Sequence, residues 1–182
     1  MRRVASEKRP DFEKCAADIG FDFAVIDGEP YWDESARYEF TLREIEEDLE
    51  APTEELGALC HELVGHAVRD EAILRKLAIP GHAWDLIAES WKRGDQSLYG
   101  RFDLVYDGAG PAKLLEYNAD TPTSLFESAI VQWRWLRDLV DRGQLPEESD
   151  QFNSLHEKLI ARWRELAPGA FLHLACMQES VE

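Results

Sequence analysis

The spacing of apolar and polar positions predicts that most of the chain is helical. Apolar residues recur every three or four positions from Ile45 to Ala67, which is typical of a helix with one buried face. We expect this helical region to begin at Glu29 and to run to about Arg69, with Pro52 starting a second helix because proline has no backbone N–H. The further helices that we expect cover 70–77, 82–93, 124–142 and 151–166.

Strand-like patterns occupy three parts of the sequence. Residues 21–26 alternate in polarity, and the runs 101–106 and 112–118 flank a turn rich in glycine, which is typical of an antiparallel hairpin with a long loop. The apolar run 170–177 predicts a buried strand close to the last residue. Together these patterns predict an α/β (α+β) fold in which helices predominate.

The apolar side chains of the hairpin predict its register. Side chains alternate across a strand, so pairing Phe102 with Tyr117 and Leu104 with Leu115 collects the apolar residues on one face. The opposite face then carries the polar side chains of both strands.

That polar face sets Asp103 directly opposite Glu116, with Arg101 opposite Asn118. Side chains so placed have Cβ atoms roughly 5 Å apart, and two carboxylates at that distance repel unless a cation or a proton intervenes. Such oxygen ligands suit Mg2+, which usually takes one or two protein carboxylates together with substrate phosphates. The alternative is a solvated face that pairs loosely with Arg101, which is the commoner outcome for charged strand faces.

Composition indicates a globular chain with a strong negative charge. The 182 residues are 45% apolar, and a chain of this length is sufficient for one domain. We expect its six tryptophans to lie in the core. The formal net charge of −17 argues against nucleic-acid binding, which needs a basic surface, and it would attract a polycationic amine.

The sequence predicts a cytoplasmic protein with no membrane partner. The basic first residues are not followed by the apolar segment of a signal peptide, and no run approaches the roughly 20 apolar residues that span a bilayer. The three cysteines are scattered along the chain, as expected for reduced thiols.

Ser124 has two alternative roles. With Glu127 it matches the Ser-x-x-Glu capping box, in which two side chains accept backbone hydrogens at the start of a helix. The free N–H groups of the same helix start would also favour an anion, so capping and ligand binding are compatible.

Several segments resemble the glutathionylspermidine synthase family and its acid–amine ligase relatives, which are carbon–nitrogen ligases of the ATP-grasp type. The resemblance covers the chain from about Arg9 to its last residue. The segments that carry it are Arg101-Phe-Asp103, Leu114-Leu-Glu-Tyr-Asn-Ala-Asp-Thr-Pro-Thr-Ser124, Gly28-Glu-Pro-Tyr-Trp32, Ser97-Leu-Tyr99 and 145–155.

The resemblance implies a site for ATP and Mg2+ on the hairpin. It implies that three residues hold the metal beside the nucleotide phosphates: Asp103, Glu116 and Asn118. It also implies that Arg101 steadies the transferring phosphoryl group, and that Thr121 and Ser124 meet the acid substrate, which is glutathione in the named enzyme.

The fold and activity that the resemblance implies are those of a larger ligase. Residues 1–182 would form a single incomplete domain, the portion before the ATP-grasp domain, with the 170–177 strand belonging to a truncated sheet. ATP would convert a carboxylate into an acyl phosphate, which a polyamine-like amine then attacks. The nucleotide clamp would lie in the remainder of the ligase, so we expect this chain alone to be inactive. The alternative is a non-catalytic acidic module that binds a polyamine or a divalent cation.

Overall fold

The computed structural model describes residues 1–120, 123–167, 169, 171 and 173. This part of the chain combines helices with three antiparallel sheets of two strands each, which confirms the predicted α/β (α+β), helix-rich class. The elements in chain order are β1 (Arg2–Ala5), α1 (Phe12–Asp18), β2 (Val25–Ile26), β3 (Glu29–Pro30), β4 (Ala36–Glu39), a first π-helical segment (Glu44–Glu50), α2 (Ala51–Ala67), α3 (Glu71–Lys76), a 3-10 turn (Gly81–Ala83), α4 (Trp84–Arg93), β5 (Arg101–Val105), β6 (Lys113–Asn118), a second π-helical segment (Glu127–Val131), α5 (Gln132–Asp141) and α6 (Leu155–Leu166).

The chain forms two compact units. We name the units by their position in the sequence: the outer unit comprises Met1–Thr41 and Ala119–Glu182, and the middle unit is Leu42–Asn118. The assignment of 1–182 to one incomplete domain stays a prediction. No helix among the described residues is both long enough and apolar enough to cross a bilayer.

An aromatic cluster forms the core of the outer unit. Phe21 is 1% exposed, and its ring meets that of Phe23 edge to face with 4.7 Å between centroids. Val131 of the second π-helical segment completes this cluster, while Leu136 and Leu139 are buried on α5. Each buried aromatic ring removes a large apolar area from water, which stabilises this unit.

The sequence prediction is wrong in two segments of the outer unit. Residues 21–26 form a strand only at Val25–Ile26, because Phe21, Phe23 and Ala24 all enter the core and do not alternate. Residues 29–41 are not helical; they contribute β3 and β4. Strand β4 pairs with β1, whose four residues are distant in sequence, so no local pattern indicated this pairing.

Two further predictions also need correction. The prediction that the tryptophans lie in the core is wrong: none of the six is among the buried residues, and Trp133 on α5 and Trp163 on α6 are 40% and 37% exposed. Helix α6 begins at Leu155, four residues later than expected, because Phe152 has φ +46°, a conformation outside the right-handed helix. The predicted 170–177 strand falls almost wholly outside the described residues.

The helices of the middle unit follow the predicted pattern. The π-helical segment Glu44–Glu50 leads directly into α2, in which Pro52 lies in the first turn, as the sequence predicted. The carboxylate of Asp70 caps α3 by accepting hydrogen bonds from the backbone N–H groups of Ala72 and Ile73.

Candidate functional site

The β5–β6 hairpin confirms the predicted pairing of its polar residues. Asp103 is paired with Glu116, and Arg101 is paired with Asn118. Because directly paired residues project to the same face of a sheet, the two carboxylates, the guanidinium and the amide share one face.

The apolar part of the predicted register is only half right. Phe102 pairs with Tyr117, and their ring centroids are 4.3 Å apart. Leu104, however, pairs with Leu114 and not with Leu115, because a β-bulge lies between Asp103 and Leu104. Leu115 is the extra residue and is 69% exposed. A bulge bends its strand and increases the local twist, so the direction of the strands changes directly beside the carboxylate pair.

An ion pair within β5 partly balances the negative charge of this face. Arg101 Nε donates to Asp103 Oδ1 at 2.8 Å, and Arg101 Nη2 lies 3.4 Å from Oδ2. This hydrogen bond chiefly raises the pKa of Arg101 above its ordinary value, and the charges of Asp103 and Glu116 add to the effect. The side chains of Arg101 and Asp103 remain 36% and 42% exposed, so a ligand can reach them.

The donor set of the hairpin fits a magnesium ion that completes its shell elsewhere. Two carboxylates and one amide are hard oxygen donors, and Mg2+ commonly takes one or two carboxylates plus phosphate and water oxygens. Among the described residues no three His, Cys, Asp or Glu side chains form a metal cluster. The polar face of the hairpin therefore offers three oxygen-donor side chains, fewer than the full shell of a magnesium ion.

The structure describes one of the two predicted acid-substrate residues. Thr121 lies outside the described residues. Ser124 precedes the first helical residue with φ +72°, a strained conformation for a residue with a Cβ. Its carbonyl oxygen accepts hydrogen bonds from the N–H and the hydroxyl of Ser128, at 3.3 and 2.8 Å.

The capping box predicted for Ser124 and Glu127 is absent from the described residues. Glu127 is 8% exposed, and its carboxylate accepts a hydrogen bond from the hydroxyl of Tyr31 instead. The competing partner is 96 residues away in sequence, so the local pattern could not reveal it.

Sequence reasoning also missed the residues that hold the turn end of the hairpin. Asp48, on the first π-helical segment, contacts both Tyr106 and Ala112, which flank the turn. The signal in the sequence was Pro52, four residues after Asp48, because proline leaves the carbonyl of that residue without its helical donor.

Comparison with known proteins assigns the chain to a family. The family model described as glutathionylspermidine synthase pre-ATP-grasp matches residues 3–182. A Haemophilus influenzae protein provisionally named acid–amine ligase is 37% identical over 187 residues, 99% of this chain and 46% of the relative.

Two further relatives carry synthetase names. A bifunctional glutathionylspermidine synthetase/amidase of Escherichia coli is 26% identical over 152 residues, 82% of this chain and 23% of the relative. A trypanothione synthetase of Crithidia fasciculata is 33% identical over 75 residues, 41% of this chain and 12% of the relative. The chain thus spans less than half the length of these relatives. Since the family model covers nearly every residue, the chain belongs to the glutathionylspermidine synthase family of ligases, in its pre-ATP-grasp region.

Proposed function

We propose that this chain is the pre-ATP-grasp part of an ATP- and Mg2+-dependent ligase that joins a carboxylic acid to an amine through an acyl phosphate. The observation that carries the proposal is the direct pairing of Asp103 with Glu116, beside the pairing of Arg101 with Asn118. Family membership supplies the reaction class, and the hairpin supplies residues with suitable chemistry.

The oxygen donors of the hairpin would hold the metal. Asp103, Glu116 and Asn118 lie on one face, and their side chains offer ligands for Mg2+ beside the nucleotide phosphates. When bound, the ion would supply positive charge that offsets the negative charge developing during phosphoryl transfer.

Arg101 is the residue that we assign to catalysis. Its planar guanidinium can donate to two phosphate oxygens at once, which stabilises a phosphoryl group in transfer. Its ion pair with Asp103 keeps the side chain on the carboxylate face before ATP arrives. Arg101 and Asn118 would together contact the nucleotide.

The acid substrate would bind where the chain leaves the hairpin. Thr121 and Ser124 are the residues that we assign to it, and the αL backbone of Ser124 is the type of strain found at functional sites. The names of the relatives suggest a glutathione-like acid and a polyamine-like amine. The net charge of −17 would favour the approach of a polycationic amine.

The nucleotide clamp and the amine site would be contributed by the remainder of the full-length ligase. We therefore expect the 182-residue chain alone to be inactive. We also propose that the protein acts in the cytoplasm and on small molecules, without a nucleic-acid or membrane partner.

Substitution of the paired carboxylates tests the proposal. Asp103→Ala or Glu116→Ala in the full-length ligase should abolish ATP turnover. The matched control is Asp95→Ala, since Asp95 forms the same kind of local pair, with Arg93, away from the hairpin. Undiminished turnover in the Asp103 and Glu116 variants would remove both residues from the metal site.

The second candidate function is a non-catalytic acidic module, which the net charge of −17 favours. Such a module would bind spermidine or a divalent cation without nucleotide. Calorimetric titration of the 182-residue chain with spermidine and with Mg-ATP separates the two functions. Tight, nucleotide-independent binding of spermidine would support the module, while a requirement of Asp103 for ATP turnover by the full-length ligase would exclude it.

A further inference from the structure

Asp48 contacts both strands of the hairpin at its turn end. Its carboxylate accepts a hydrogen bond from the hydroxyl of Tyr106 at 2.8 Å, and its backbone carbonyl accepts one from the N–H of Ala112 at 2.7 Å. Tyr106 directly follows β5, and Ala112 directly precedes β6. A single residue of the first π-helical segment therefore holds the two chain segments that flank the turn.

The backbone contact depends on Pro52. In an α-helix the carbonyl of residue 48 would accept from the N–H of residue 52, but proline has no N–H. Buried carbonyl groups need a partner, so the N–H of Ala112 finds an acceptor at Asp48. The π-helical geometry just before Pro52 adjusts the helix at this point: the N–H of Ala51 bonds the carbonyl of Glu46, five residues earlier.

The carboxylate of Asp48 is held on two sides. Its side chain is 6% exposed, and Arg43 Nη2 lies 3.0 Å from Oδ2, the oxygen that also accepts from Tyr106. Ala112, 6% exposed, is buried at the same end of the hairpin. Asp48 and Ala112 are thus both buried at the turn end, while the Arg43 side chain is 56% exposed.

The hairpin strands, in contrast, have little packing of their own. No residue of β5 or β6 is buried, and Leu115 at the bulge is 69% exposed. Two-stranded hairpins are marginally stable unless another element supports them. Among the contacts that support the turn end, those of Asp48 reach both flanks of the turn, and Glu44 adds a longer hydrogen bond from Tyr106, at 3.3 Å.

From these contacts we infer a positioning role for three residues, Asp48, Tyr106 and Pro52. They position the carboxylates of Asp103 and Glu116, which we propose as metal ligands. This inference rests on the proposed metal site. Tyr106 directly follows β5, three residues after Asp103, so the backbone ladder of the hairpin connects the turn end to the carboxylate pair. Loss of these contacts lets the two carboxylates move apart, which weakens metal binding although no ligand side chain has been removed.

Site-resolved metal titration of the 182-residue chain tests the inference. The probe is Mn2+ without nucleotide, followed by the broadening of the Glu116 amide signal in NMR spectra. Three variants are compared with the wild type: Tyr106→Phe, Pro52→Ala and Asp103→Ala. Tyr38→Phe is the matched control, because Tyr38 is 58% exposed on β4.

The expected result is graded. Asp103→Ala abolishes the broadening, and Tyr106→Phe raises the Mn2+ concentration for half-broadening by about threefold to tenfold. Pro52→Ala produces a shift in the same direction, because it supplies an N–H that competes for the Asp48 carbonyl. Pro52→Ala keeps the side chains of Asp48 and Tyr106, so it serves if Tyr106→Phe does not fold. Tyr38→Phe behaves as the wild type.

Two contrary outcomes are distinguishable. If Asp103→Ala abolishes the broadening while Tyr106→Phe and Pro52→Ala both match the wild type, the contacts of Asp48 have only a structural role and the inference is overturned. If Asp103→Ala itself matches the wild type, the metal site and the inference that rests on it are both overturned.

Discussion

The guanidinium of Arg101 and the carboxylate of Asp103 form an ion pair along one strand, two residues apart, with Nε 2.8 Å from Oδ1. The arginine therefore has two functions that are separable. It neutralises part of the charge on the carboxylate face, and under our proposal it contacts the phosphoryl group.

We predict opposite effects of Arg101→Met on these two functions. Removing the positive charge leaves Asp103 and Glu116 more attractive to a cation, so the chain should bind Mn2+ severalfold more tightly. ATP turnover by the full-length ligase should fall by at least about 100-fold, because the phosphoryl group loses a charged donor. NMR titration with Mn2+ and an ATP turnover assay measure the two effects.

The control for this prediction is Arg93→Met. Arg93 pairs with Asp95 in the same two-residue arrangement, with Nη2 2.6 Å from Oδ2, outside the hairpin. This variant should leave both measurements unchanged. Weaker Mn2+ binding in Arg101→Met would contradict the view that the positive charge of Arg101 reduces the attraction of Asp103 and Glu116 for a cation.

Gly100 provides a second prediction, because the residue stands against the ring of Tyr117. A Cβ at Gly100 would lie 2.7 Å from Cε2 of that ring, closer than real contacts allow. The ring cannot move freely, since it stacks on Phe102. Gly100→Ala should therefore destabilise the chain by about 1–2 kcal/mol and change the aromatic signal in near-UV circular dichroism.

Gly57→Ala is the matched control for Gly100→Ala. Gly57 lies in α2, and no atom would approach an added Cβ there within 4 Å. Alanine is the better helix former, so this variant should gain about 0.5–1 kcal/mol in the free energy of unfolding. Equal changes in the free energy of unfolding in the two variants would show that the Tyr117 ring moves aside without destabilising the chain.

The hairpin shows what sequence reasoning can and cannot predict about the candidate site. Alternation and aromatic pairing were sufficient to predict that Asp103 faces Glu116. The bulge was not predictable, because Leu114 and Leu115 are both apolar and either can pair with Leu104. A one-residue shift there leaves the apolar pattern unchanged.

The errors in the outer unit have another physical cause. Local pattern cannot indicate that Arg2 pairs with Glu39 across the β1–β4 sheet, or that Tyr31 binds the carboxylate of Glu127. Both contacts join residues far apart in sequence, and tertiary pairing overrides local helical preference. Helices whose apolar faces repeat locally, such as α2, were predicted well.

A third prediction concerns Arg9. Its side chain is 3% exposed and pairs with the fully buried side chain of Glu34, with Nη2 of Arg9 2.6 Å from Oε1 of Glu34. Arg9 also pairs with Asp138 on α5. Arg9→Met leaves a buried carboxylate without its cation, so the free energy of unfolding should fall by about 3–5 kcal/mol. Urea denaturation followed by circular dichroism measures the loss.

The contrasting variant is Arg2→Met. The Arg2 side chain is 77% exposed and pairs with Glu39 at the surface, so its removal should cost about 0–1 kcal/mol. A similar loss in the two variants would contradict the view that burial makes the Arg9 network a stability determinant.

The last prediction concerns pH and Asp48. The hydrogen bond from Tyr106 holds the pKa of Asp48 below its ordinary value of 3.8, and Arg43 acts in the same direction. A carboxyl group whose pKa is lowered by folding stabilises the native state above its unfolded pKa, and this contribution is lost as the pH falls through the folded pKa. Asp48→Asn removes this titration.

The difference in unfolding free energy between wild type and Asp48→Asn should therefore be constant from neutral pH down to about pH 5. It should shrink as the pH passes 3.8 and falls further toward the lowered pKa of the native state. Urea denaturation at several pH values measures this difference, and Asp85→Asn, at an exposed position on α4, is the control. A difference that stays constant down to pH 3, or that grows with acid, would mean that the Asp48 carboxylate does not stabilise the native state through Tyr106 and Arg43.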